Sequence, residues 1–494
     1  MSLQMHNSTE SMTMSQPMNL LFIYTDEQAA ATLAAYGNYQ IEMPNLNRFA
    51  ERATVFEKAY VVQPVCTPSR SCLLSGLWPH LNGCERNNIP LAADIPAVPE
   101  MLPANVYHTS HIGKWHLGDE IFLQHGFDEW VSLEDNYIRH YSEGRDREAR
   151  SSYHEYLIKQ GYTPQNGSHF SRGETARFPE ADGKPAFLAG EACAFLERNR
   201  DRPFALYVNF LEPHMPYFGP RDDQYDPESI SLPESLHAEH TGEMCARKIW
   251  GERYYHENGH SGLSLRTDAD WRQMIANYWG LCSLIDTHVG RILDRLEKLG
   301  LAENTMVVFT SDHGDMAGAH GLVAKSVMYE ESVTVPLMIR MPGQTASRRI
   351  TGPFSHVDLV PTILETMGCA LPDHLSGQSR AAYLHADGPI HLNEYAVVEW
   401  NGFNSDEYGR TTGYEQFLSE EQLQELKGFG RTIISPDGWK LNWRPTGVQE
   451  LYDLKTDPHE CHNRYRDSSC QGKRDELIRQ LRSWQEANQD TLML

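Results

Sequence analysis

Residues 306–313, MVVFTSDH, place polar side chains directly after a short apolar run. The run is rich in valine and predicts a buried strand. Before it, apolar residues recur at helical spacing from residue 275 to Gly300, where a glycine ends the pattern. A helix that leads into an apolar strand is typical of a mostly parallel sheet that helices cover on both faces.

The same alternation recurs through most of the chain. A short amphipathic helix is predicted at residues 45–53, and further buried strands are predicted at residues 20–24, 205–211 and 336–339. We therefore expect an α/β fold in which a large, mostly parallel mixed sheet is sandwiched by helices. Because ligands gather at the carboxyl ends of strands in such sheets, the residues that follow each strand are the candidates for chemistry.

The pattern changes beyond about residue 373, where the predicted strands are shorter and antiparallel. Strands are predicted at residues 394–400 and at residues 432–443 around a turn at 435–438, and a final amphipathic helix at residues 474–488. These segments predict a smaller C-terminal α+β subdomain with an antiparallel sheet at residues 373–494. A main domain at 19–372 and a flexible N-terminal segment at 1–18 complete the predicted organisation.

The composition is that of an acidic globular protein. The chain has 494 residues, of which 40% are hydrophobic, and its 43 Lys and Arg against 67 Asp and Glu give a formal charge of −24. No basic tract stands out, so we expect no nucleic-acid partner. A small anionic substrate would be repelled by the chain as a whole and would need a local cluster of cations or a metal.

The cysteines and the N-terminus bear on the compartment. Nine cysteines without CxxC pairs exclude a complete disulfide framework and predict mostly reduced thiols. The first 19 residues are polar and lack a basic segment, and the apolar run at 20–24 is too short for a signal or a membrane span. We expect no membrane segment and a cytoplasmic location, or a periplasmic or secreted one if a leader has been removed.

Acidic and imidazole side chains follow two of the predicted strands. Asp26 and Glu27 end one strand, and Asp312 and His313 follow another. Oxygen and imidazole ligands that meet at one sheet edge suit a hard divalent cation such as calcium or magnesium. A strand-end aspartate is also a common helix N-cap, so either pair alone leaves both roles open.

Other segments offer single cations, imidazoles or a thiol. Lys114 and His116 lie between glycines in GKWHLG, and Lys325 follows HGLVA. His214, in PHMPY, follows a strand and has the position of a general acid, although a core histidine has the same pattern. Cys66, in VVQPVCTPSRSC, is compatible with a core thiol, half of a disulfide, a metal ligand or a modified side chain.

Several longer segments carry a family resemblance when they are taken together. They are MPNLNRFAERATVFEKAY, PVCTPSRSCLLSGLWPHLNG, HTSHIGKWHLG, PHMPY, NTMVVFTSDHGDMAGAHGLVAKSVMYEESVTVPLMI, FSHVDLVPTILETMG and ELYDLKTDPHECHN. The chain resembles the sulfatase family of the alkaline phosphatase superfamily through nearly its whole length. In that family the Cys-x-Pro-x-Arg element, here Cys66 to Arg70, is the signal for oxidation of the cysteine to Cα-formylglycine.

The resemblance implies a role for each candidate. Cys66 would be the formylglycine precursor, and Arg70 would hold the modified side chain. Lys114 and Lys325 would bind the sulfate oxygens. The two histidines of the motifs, His116 and His214, would contact the formylglycine hydrate and the leaving-group oxygen, respectively.

The resemblance also implies one divalent cation, with calcium favoured over magnesium or manganese. Asp26, Asp312 and His313 match metal positions of the family closely. The fourth position departs from it, because the family has Asp-Asp, Asp-Asn or Asp-Gln where this chain has Asp26-Glu27-Gln28. Either Glu27 or Gln28 would then complete the metal shell.

The implied function is that of an arylsulfatase-like sulfatase, which hydrolyses a sulfate monoester to an alcohol and inorganic sulfate. The catalytic domain would be residues 19–372, with 218–270 as an insertion over the active site. Glu399 to Asn401 would help to shape a pocket for a sulfated sugar or a small aryl or alkyl sulfate. A formylglycine-generating enzyme would be a partner during maturation, and a homo-oligomer is compatible with the family.

Two other functions are open. The same superfamily contains formylglycine-dependent phosphonate monoester and phosphodiester hydrolases, although the GKWHLG, PHMPY and HGLVAK elements favour a sulfatase. In a different class, the chain would be a non-catalytic anion- or glycan-binding protein in which Cys66 stays unmodified.

Overall fold

A computed structural model describes residues 16–386, 388–402 and 417–492, so the predicted flexible segment 1–18 lies mostly outside the described residues. The described residues form a nine-stranded sheet and a separate four-stranded sheet. The strands are β1 Asn19–Asp26, β2 Thr54–Tyr60, β3 His108–Gly113, β4 Glu129–Ser132, β5 Phe204–Pro213, β6 Thr305–Ser311, β7 Thr334–Arg340, β8 Arg348–Ser355, β9 Ile390–His391, β10 Ala396–Trp400, β11 Gly430–Ile434, β12 Trp439–Trp443 and β13 Glu450–Asp453.

Helices cover both faces of the large sheet, and further helices pack on the C-terminal sheet and on α8. They are α1 Pro44–Ala50, α2 Cys66–Ser75, α3 Pro79–Asn82, α4 Val98–Met101, α5 Ser152–Lys159, α6 Arg172–Thr175, α7 Lys184–Arg198, α8 Ala246–Asn258, α9 Asp268–Lys298, α10 Glu330–Val333, α11 Leu359–Thr366, α12 Ala381–His385, α13 Glu420–Lys427 and α14 Gln471–Ala487. The predicted helix that precedes the strand at 306–309 is α9, which begins seven residues before its apolar pattern because a capping box formed by Thr267 and Asp270 starts it.

Strand β1 shows why the sheet needs cover on both faces. Leu21 and Ile23 belong to one apolar cluster, whereas Leu20 and Phe22 belong to another, and all four are fully buried. Successive side chains of a strand point to opposite faces, so a strand that is apolar at each position is stable between two layers. The predicted α/β sandwich, with a mostly parallel mixed sheet, is confirmed.

The strand order brings the candidate residues to one edge. The large sheet has the order β4-β3-β5-β1-β6-β7-β2-β8-β9, in which β3, β5, β1 and β6 are parallel neighbours. Lys114, His214 and Asp312 follow the carboxyl ends of β3, β5 and β6, and Asp26 ends β1. Strand β7 is antiparallel to both β6 and β2, so β2 points the same way as β6 and leads to the site through Cys66, the first residue of α2.

One glycine allows the close approach of β3 to β5. Gly113 has a φ of +127°, and a Cβ added to it would lie 1.9 Å from the backbone oxygen of Asn209. The next residue, Lys114, donates its backbone N–H to that oxygen at 3.1 Å. Only glycine fits here, and the contact fixes the backbone from which the Lys114 side chain enters the site.

The C-terminal segment forms the predicted antiparallel sheet, in the order β10-β11-β12-β13. The predicted hairpin around 435–438 joins β11 to β12, and the predicted final helix is α14. Leu477 and Leu481 of that helix pack against Ile433 and Leu441 of the sheet. The boundary at residue 373 stays a prediction, and β9 of this segment pairs with β8 of the large sheet.

None of the nine cysteines, all of which lie in the described residues, is in a disulfide, which agrees with the prediction of mostly reduced thiols. Within the described residues, no helix has the length and apolarity needed to cross a bilayer. Residues 218–270 contain α8, whose Trp250 packs with Leu426 of α13; the assignment of this segment as an insertion over the active site stays a prediction.

Candidate active site

A buried network of opposite charges lies beneath the floor of the site. The Arg70 side chain donates from Nε to Asp312 Oδ2 at 2.8 Å and from Nη2 to Asp26 Oδ2 at 2.9 Å, and all three side chains are fully buried. The ammonium of Lys114 also contacts Asp26. Burial alone would raise the pKa of Asp26, but Lys114, His214 and Arg70 together hold that pKa well below its usual range. Asp26 is therefore an anion at neutral pH.

Cys66 lies directly above this network. Its Sγ is 3.3 Å from His313 Nε2 and 3.7 Å from Asp26 Oδ1. Burial, helped by the charge of Asp26, raises the pKa of the Cys66 thiol to about 12. An unmodified thiol here is protonated at neutral pH and is a weak nucleophile.

The donors around Cys66 fit a divalent cation. Ligand atoms of Asp26, Cys66, Asp312 and His313 lie within 4.8 Å of one another, and His313 Nε2 is 3.7 Å from Asp26 Oδ1 and 3.6 Å from Asp312 Oδ1. A second group of possible ligands consists of Asp26, Glu27 and His214. Glu27 Oε1 is buried and accepts no hydrogen bond from the described residues. Two or three carboxylates with an imidazole suit a hard cation that prefers oxygen.

The structure places the two candidates for the fourth ligand differently. Glu27 has a φ of 71°, and its Oε2 accepts a hydrogen bond from Lys325 Nζ at 2.9 Å. Burial outweighs Lys325 and raises the pKa of Glu27 to about 7. The Gln28 side chain donates to Thr32 Oγ1 at 3.0 Å, and its Oε1 has no partner among the described residues. Glu27 lies within ligand distance of Asp26 and His214.

A buried carboxylate holds the GKWHLG segment in place. Glu120 accepts the backbone N–H groups of Trp115 and His116 at 2.8 and 2.7 Å. The His116 ring has Nε2 at 3.1 Å from Asn88 Oδ1, and its Nδ1 is buried without a partner among the described residues. Burial and the nearby Lys114 lower the pKa of His116 well below its usual value, so the imidazole is neutral.

His214 is the histidine of the second ligand group. Its Nδ1 donates to Met215 O at 2.7 Å, which leaves Nε2 at 3.5 Å from Glu27 Oε2. Burial and the charge of Lys325 hold the pKa of His214 well below its usual value. The segment after it is tied to the Lys325 loop, because Tyr217 donates to Asp315, which also accepts the N–H of Ala324.

A cavity of about 470 Å³ opens above Cys66. It is lined by Cys66, Asn87, Asn88, His116, Asn136, Tyr137, Arg139, His140, Arg172, His214 and Lys325. The structure thus brings the ten predicted site residues together, with Arg70 and Lys114 buried beneath the floor. The residues at 87–88, 136–140 and 172 were missed, since they are ordinary polar residues in irregular segments or at a helix end and no motif marks them.

Residues 399–401 do not line this cavity. Glu399 and Asn401 are buried, and Asn401 Nδ2 donates to Glu399 Oε2 at 2.8 Å and to Gln63 Oε1 at 2.9 Å. Glu399 Oε1 also lies 2.6 Å from His80 Nδ1. The expectation that these residues shape the pocket is therefore wrong: they join the C-terminal sheet to Gln63 and His80, on either side of α2.

Comparison with known proteins agrees with this geometry. A family profile described as Sulfatase matches residues 18–369, and a profile described as N-sulphoglucosamine sulphohydrolase, C-terminal, matches residues 318–487. An N-acetylglucosamine-6-O-sulfatase of Bacteroides thetaiotaomicron is 26% identical in an alignment that covers 96% of this chain and 87% of that protein.

Solved structures share the fold. A phosphonate monoester hydrolase from Silicibacter pomeroyi superposes with a TM-score of 0.77 and 22% identity over 96% of both chains. BT4656, in complex with its substrate D-glucosamine-2-N,6-O-disulfate, gives a TM-score of 0.74 and 24% identity over 97% of this chain and 99% of that chain. The fold is thus alkaline-phosphatase-like, as predicted. Because the Sulfatase profile spans well over half of the sequence, the chain belongs to the sulfatase family of hydrolases in the alkaline phosphatase superfamily.

Proposed function

We propose that this protein is a sulfatase that hydrolyses a sulfate monoester to an alcohol and inorganic sulfate. One observation carries the proposal: Cys66, at the head of its Cys-x-Pro-x-Arg element, lies at the base of an open cavity, 3.3 Å from His313 and within a cluster of metal-type donors. The cations that a sulfate ester requires are beside it, with Lys325 on the cavity wall and Lys114 beneath the floor.

We further propose that Asp26, Glu27, Asp312 and His313 hold one divalent cation, with calcium favoured over magnesium or manganese. Such a cation would neutralise negative charge on the sulfate oxygens. Cys66 would be converted to formylglycine by a formylglycine-generating enzyme, and the hydrated aldehyde would supply one hydroxyl to attack sulfur and another to release the product. The unmodified thiol is unsuited to this role because its pKa is raised to about 12.

The other side chains bind and orient the substrate. Lys325 exchanges part of its contact with Glu27 for the sulfate oxygens, and His116 offers its unpartnered Nδ1 to the group at position 66. His214 is neutral in the structure, because burial and Lys325 lower its pKa. A bound sulfate ester would raise that pKa by its negative charge, which would let His214 Nε2 carry the proton that the leaving oxygen needs.

The decisive test of the mechanism is at Cys66. Mass spectrometry of the peptide that spans residues 61–72, from protein made in its native host, would measure how much cysteine has become formylglycine. We expect the turnover of p-nitrophenyl sulfate to rise in proportion to that fraction. Cys66→Ser should turn over at most once per site, because serine lacks the second hydroxyl. Sustained multiple turnover by pure Cys66→Ser protein would overturn the mechanism.

The anion-binding role of the lysines has its own test. Lys114→Ala and Lys325→Ala should each lower kcat/KM for p-nitrophenyl sulfate by about 100- to 1000-fold, the usual loss for a preorganised charge contact. Lys159→Ala, at an exposed position in α5, is the matched control and should behave as the wild type. Unchanged kcat/KM in both site variants, with folding intact by circular dichroism, would exclude them from the anion site.

The substrate that the comparisons favour is a sulfated sugar, because the matched Bacteroides thetaiotaomicron protein is named as a sugar sulfatase. A small aryl or alkyl sulfate is the alternative. A panel of sulfated mono- and disaccharides, assayed for released sulfate beside p-nitrophenyl sulfate, would distinguish the two. Hydrolysis of p-nitrophenyl sulfate together with no activity on any sugar sulfate would contradict the sugar proposal.

A second candidate function is phosphonate monoester or phosphodiester hydrolysis, which is favoured by the similarity to a solved phosphonate monoester hydrolase. The ratio of kcat/KM for an aryl sulfate to that for the matched aryl phosphonate monoester separates the two. We expect the ratio to exceed one. A binding protein without catalysis would instead show unmodified Cys66 in protein from the native host.

A further inference from the structure

The cavity above Cys66 has the opposite charge to the protein that contains it. The chain has 67 Asp and Glu and a formal charge of −24, yet none of the described residues that line this cavity is acidic. Three of the lining residues, Arg139, Arg172 and Lys325, are cations. A cationic pocket in an acidic protein concentrates anions locally.

Two of these cations are already neutralised by buried carboxylates. Lys325 Nζ is 2.9 Å from Glu27 Oε2. Arg172 binds Glu134 from Nε at 2.8 Å and from Nη2 at 2.6 Å, and Glu134 also accepts from Lys184 Nζ at 3.1 Å. These pairs hold their side chains in place but contribute little net charge at the mouth.

Arg139 is different from the other two. Its side chain is exposed at the cavity mouth, and its Nε donates to His140 Nε2 at 2.9 Å. Among the described residues, no carboxylate lies within ion-pair distance of the guanidinium, and its two terminal nitrogens make no hydrogen bond. The planar pair of terminal N–H groups matches the oxygens of a carboxylate or a sulfate.

Tyr137 connects the reacting end of the cavity to the turn that carries Arg139. The ring of Tyr137 packs on His116 with a centroid distance of 4.4 Å, and its hydroxyl accepts from Arg172 Nη2 at 2.7 Å. Arg139 follows two residues later, in the short 3-10 turn Ile138–His140. Tyr137, Arg139 and Lys325 line the same cavity, so one substrate held there can face both Lys325 and Arg139.

We propose that Arg139 forms a second anion subsite that binds a carboxylate or a second sulfate of the substrate. This inference rests on the proposed function, in which the scissile sulfate faces Cys66, and it narrows the substrate class to compounds with two negative groups. Because the Arg139 contact is at the cavity mouth, it is screened by salt more than the buried contacts are.

The test uses three rigid inhibitors of p-nitrophenyl sulfate hydrolysis: benzenesulfonate, meta-benzenedisulfonate and meta-sulfobenzoate. For the wild-type enzyme, we expect at least one dianion to inhibit about tenfold more strongly than the monoanion, the effect typical of a hydrogen bond to a charged group. The dianion that binds more tightly identifies the oxyanion that the subsite accepts. The ratio of the inhibition constant of the monoanion to that of the tighter dianion should fall as ionic strength rises.

Three variants complete the experiment. Arg139→Gln should abolish the preference for the dianion, Arg139→Lys should retain part of it, and Arg147→Gln, an exposed control outside the cavity lining, should retain all of it. Equal inhibition by all three compounds in the wild type, or a preference that survives Arg139→Gln, would overturn the subsite.

Calorimetric binding of the same compounds to Cys66→Ala protein separates this inference from the proposed function. If the wild type hydrolyses p-nitrophenyl sulfate but the Cys66→Ala protein binds all three compounds equally, the subsite is wrong and the sulfatase proposal stands. If hydrolysis is absent but the dianions bind more tightly through Arg139, the subsite stands and the sulfatase proposal is wrong.

Discussion

Replacing Arg70 with methionine tests the charge network beneath Cys66. The guanidinium pairs with Asp26 at 2.9 Å and with Asp312 at 2.8 Å, and all three side chains are fully buried. Methionine has a similar length and no charge, so the variant removes the cation without leaving a large cavity. Two carboxylates would then lie close together in a dry environment, with Lys114 in contact with Asp26 alone.

The expected loss of stability is large. Breaking a buried ion pair costs about 3–5 kcal/mol, because the remaining charge is uncompensated. Since one cation here serves two carboxylates, we expect the free energy of unfolding to fall by about 5 kcal/mol at neutral pH. The difference in the free energy of unfolding between the wild type and the variant should shrink as pH falls. Protonation of the buried carboxylates relieves their repulsion in the variant, whereas in the wild type it removes the ion pairs with Arg70.

Urea unfolding of the chelator-treated protein, followed by circular dichroism, would measure the loss. Arg349→Met is the matched control: Arg349 pairs with Glu57 at 2.6 Å, but their side chains are 50% and 35% exposed, so its loss should be about 0–1 kcal/mol. Adding Asp312→Asn to Arg70→Met should restore part of the stability. If Arg70→Met costs no more than Arg349→Met, the buried network does not carry the charges assigned to it.

Three further changes have defined outcomes. Gly113→Ala should abolish soluble folded protein, because the added Cβ would lie 1.9 Å from the backbone oxygen of Asn209. Gly37→Ala is the control: Gly37 has a positive φ but no atom within 4 Å of the added Cβ, so the free energy of unfolding should fall by only about 1–2 kcal/mol in thermal unfolding. Burial lowers the pKa of His80, but the hydrogen bond to Glu399 outweighs burial, so the pKa is raised overall. A raised pKa means that protonated His80 stabilises the fold, and this stabilisation is lost as pH rises. The free energy of unfolding lost in His80→Gln, measured by urea unfolding, should therefore be larger at about pH 6 than at about pH 9. Calcium at about 100 times its Kd should stabilise the protein by about 2.7 kcal/mol, and Asp312→Asn should remove most of that gain; equal gains in both proteins would place the ion elsewhere.

The main elements of the fold were predictable because their signals are local. The apolar run at 306–309 became the centre of β6, Thr305–Ser311, and the hairpin at 435–438 joins β11 to β12. The first turns of α9 were missed, although the capping box of Thr267 and Asp270 is visible in the sequence and could have extended the prediction. Trp271 and Met274 of these turns are buried, but two apolar residues three apart are too few to show a helical period on their own.

The candidate site was predictable where its residues follow strands or belong to motifs. Asp26, Lys114 and Asp312 end up together because neighbouring parallel strands bring their carboxyl ends to one edge. Arg139 and Arg172 had no such signal. Whether an arginine is neutralised depends on its partner, and the partner of Arg172 is Glu134, 38 residues away in the chain.

The sequence by itself determined the α/β class, the antiparallel C-terminal sheet and the set of side chains that could do chemistry, because strand periodicity and short motifs are properties of neighbouring residues. Only the tertiary structure decided that Lys114 lies beneath the floor while Lys325 lines the cavity, that Glu399 and Asn401 face away from it, and that Arg139 has no acidic partner among the described residues. Burial and charge compensation depend on distances between segments remote in the chain, and those distances exist only once the strands have paired.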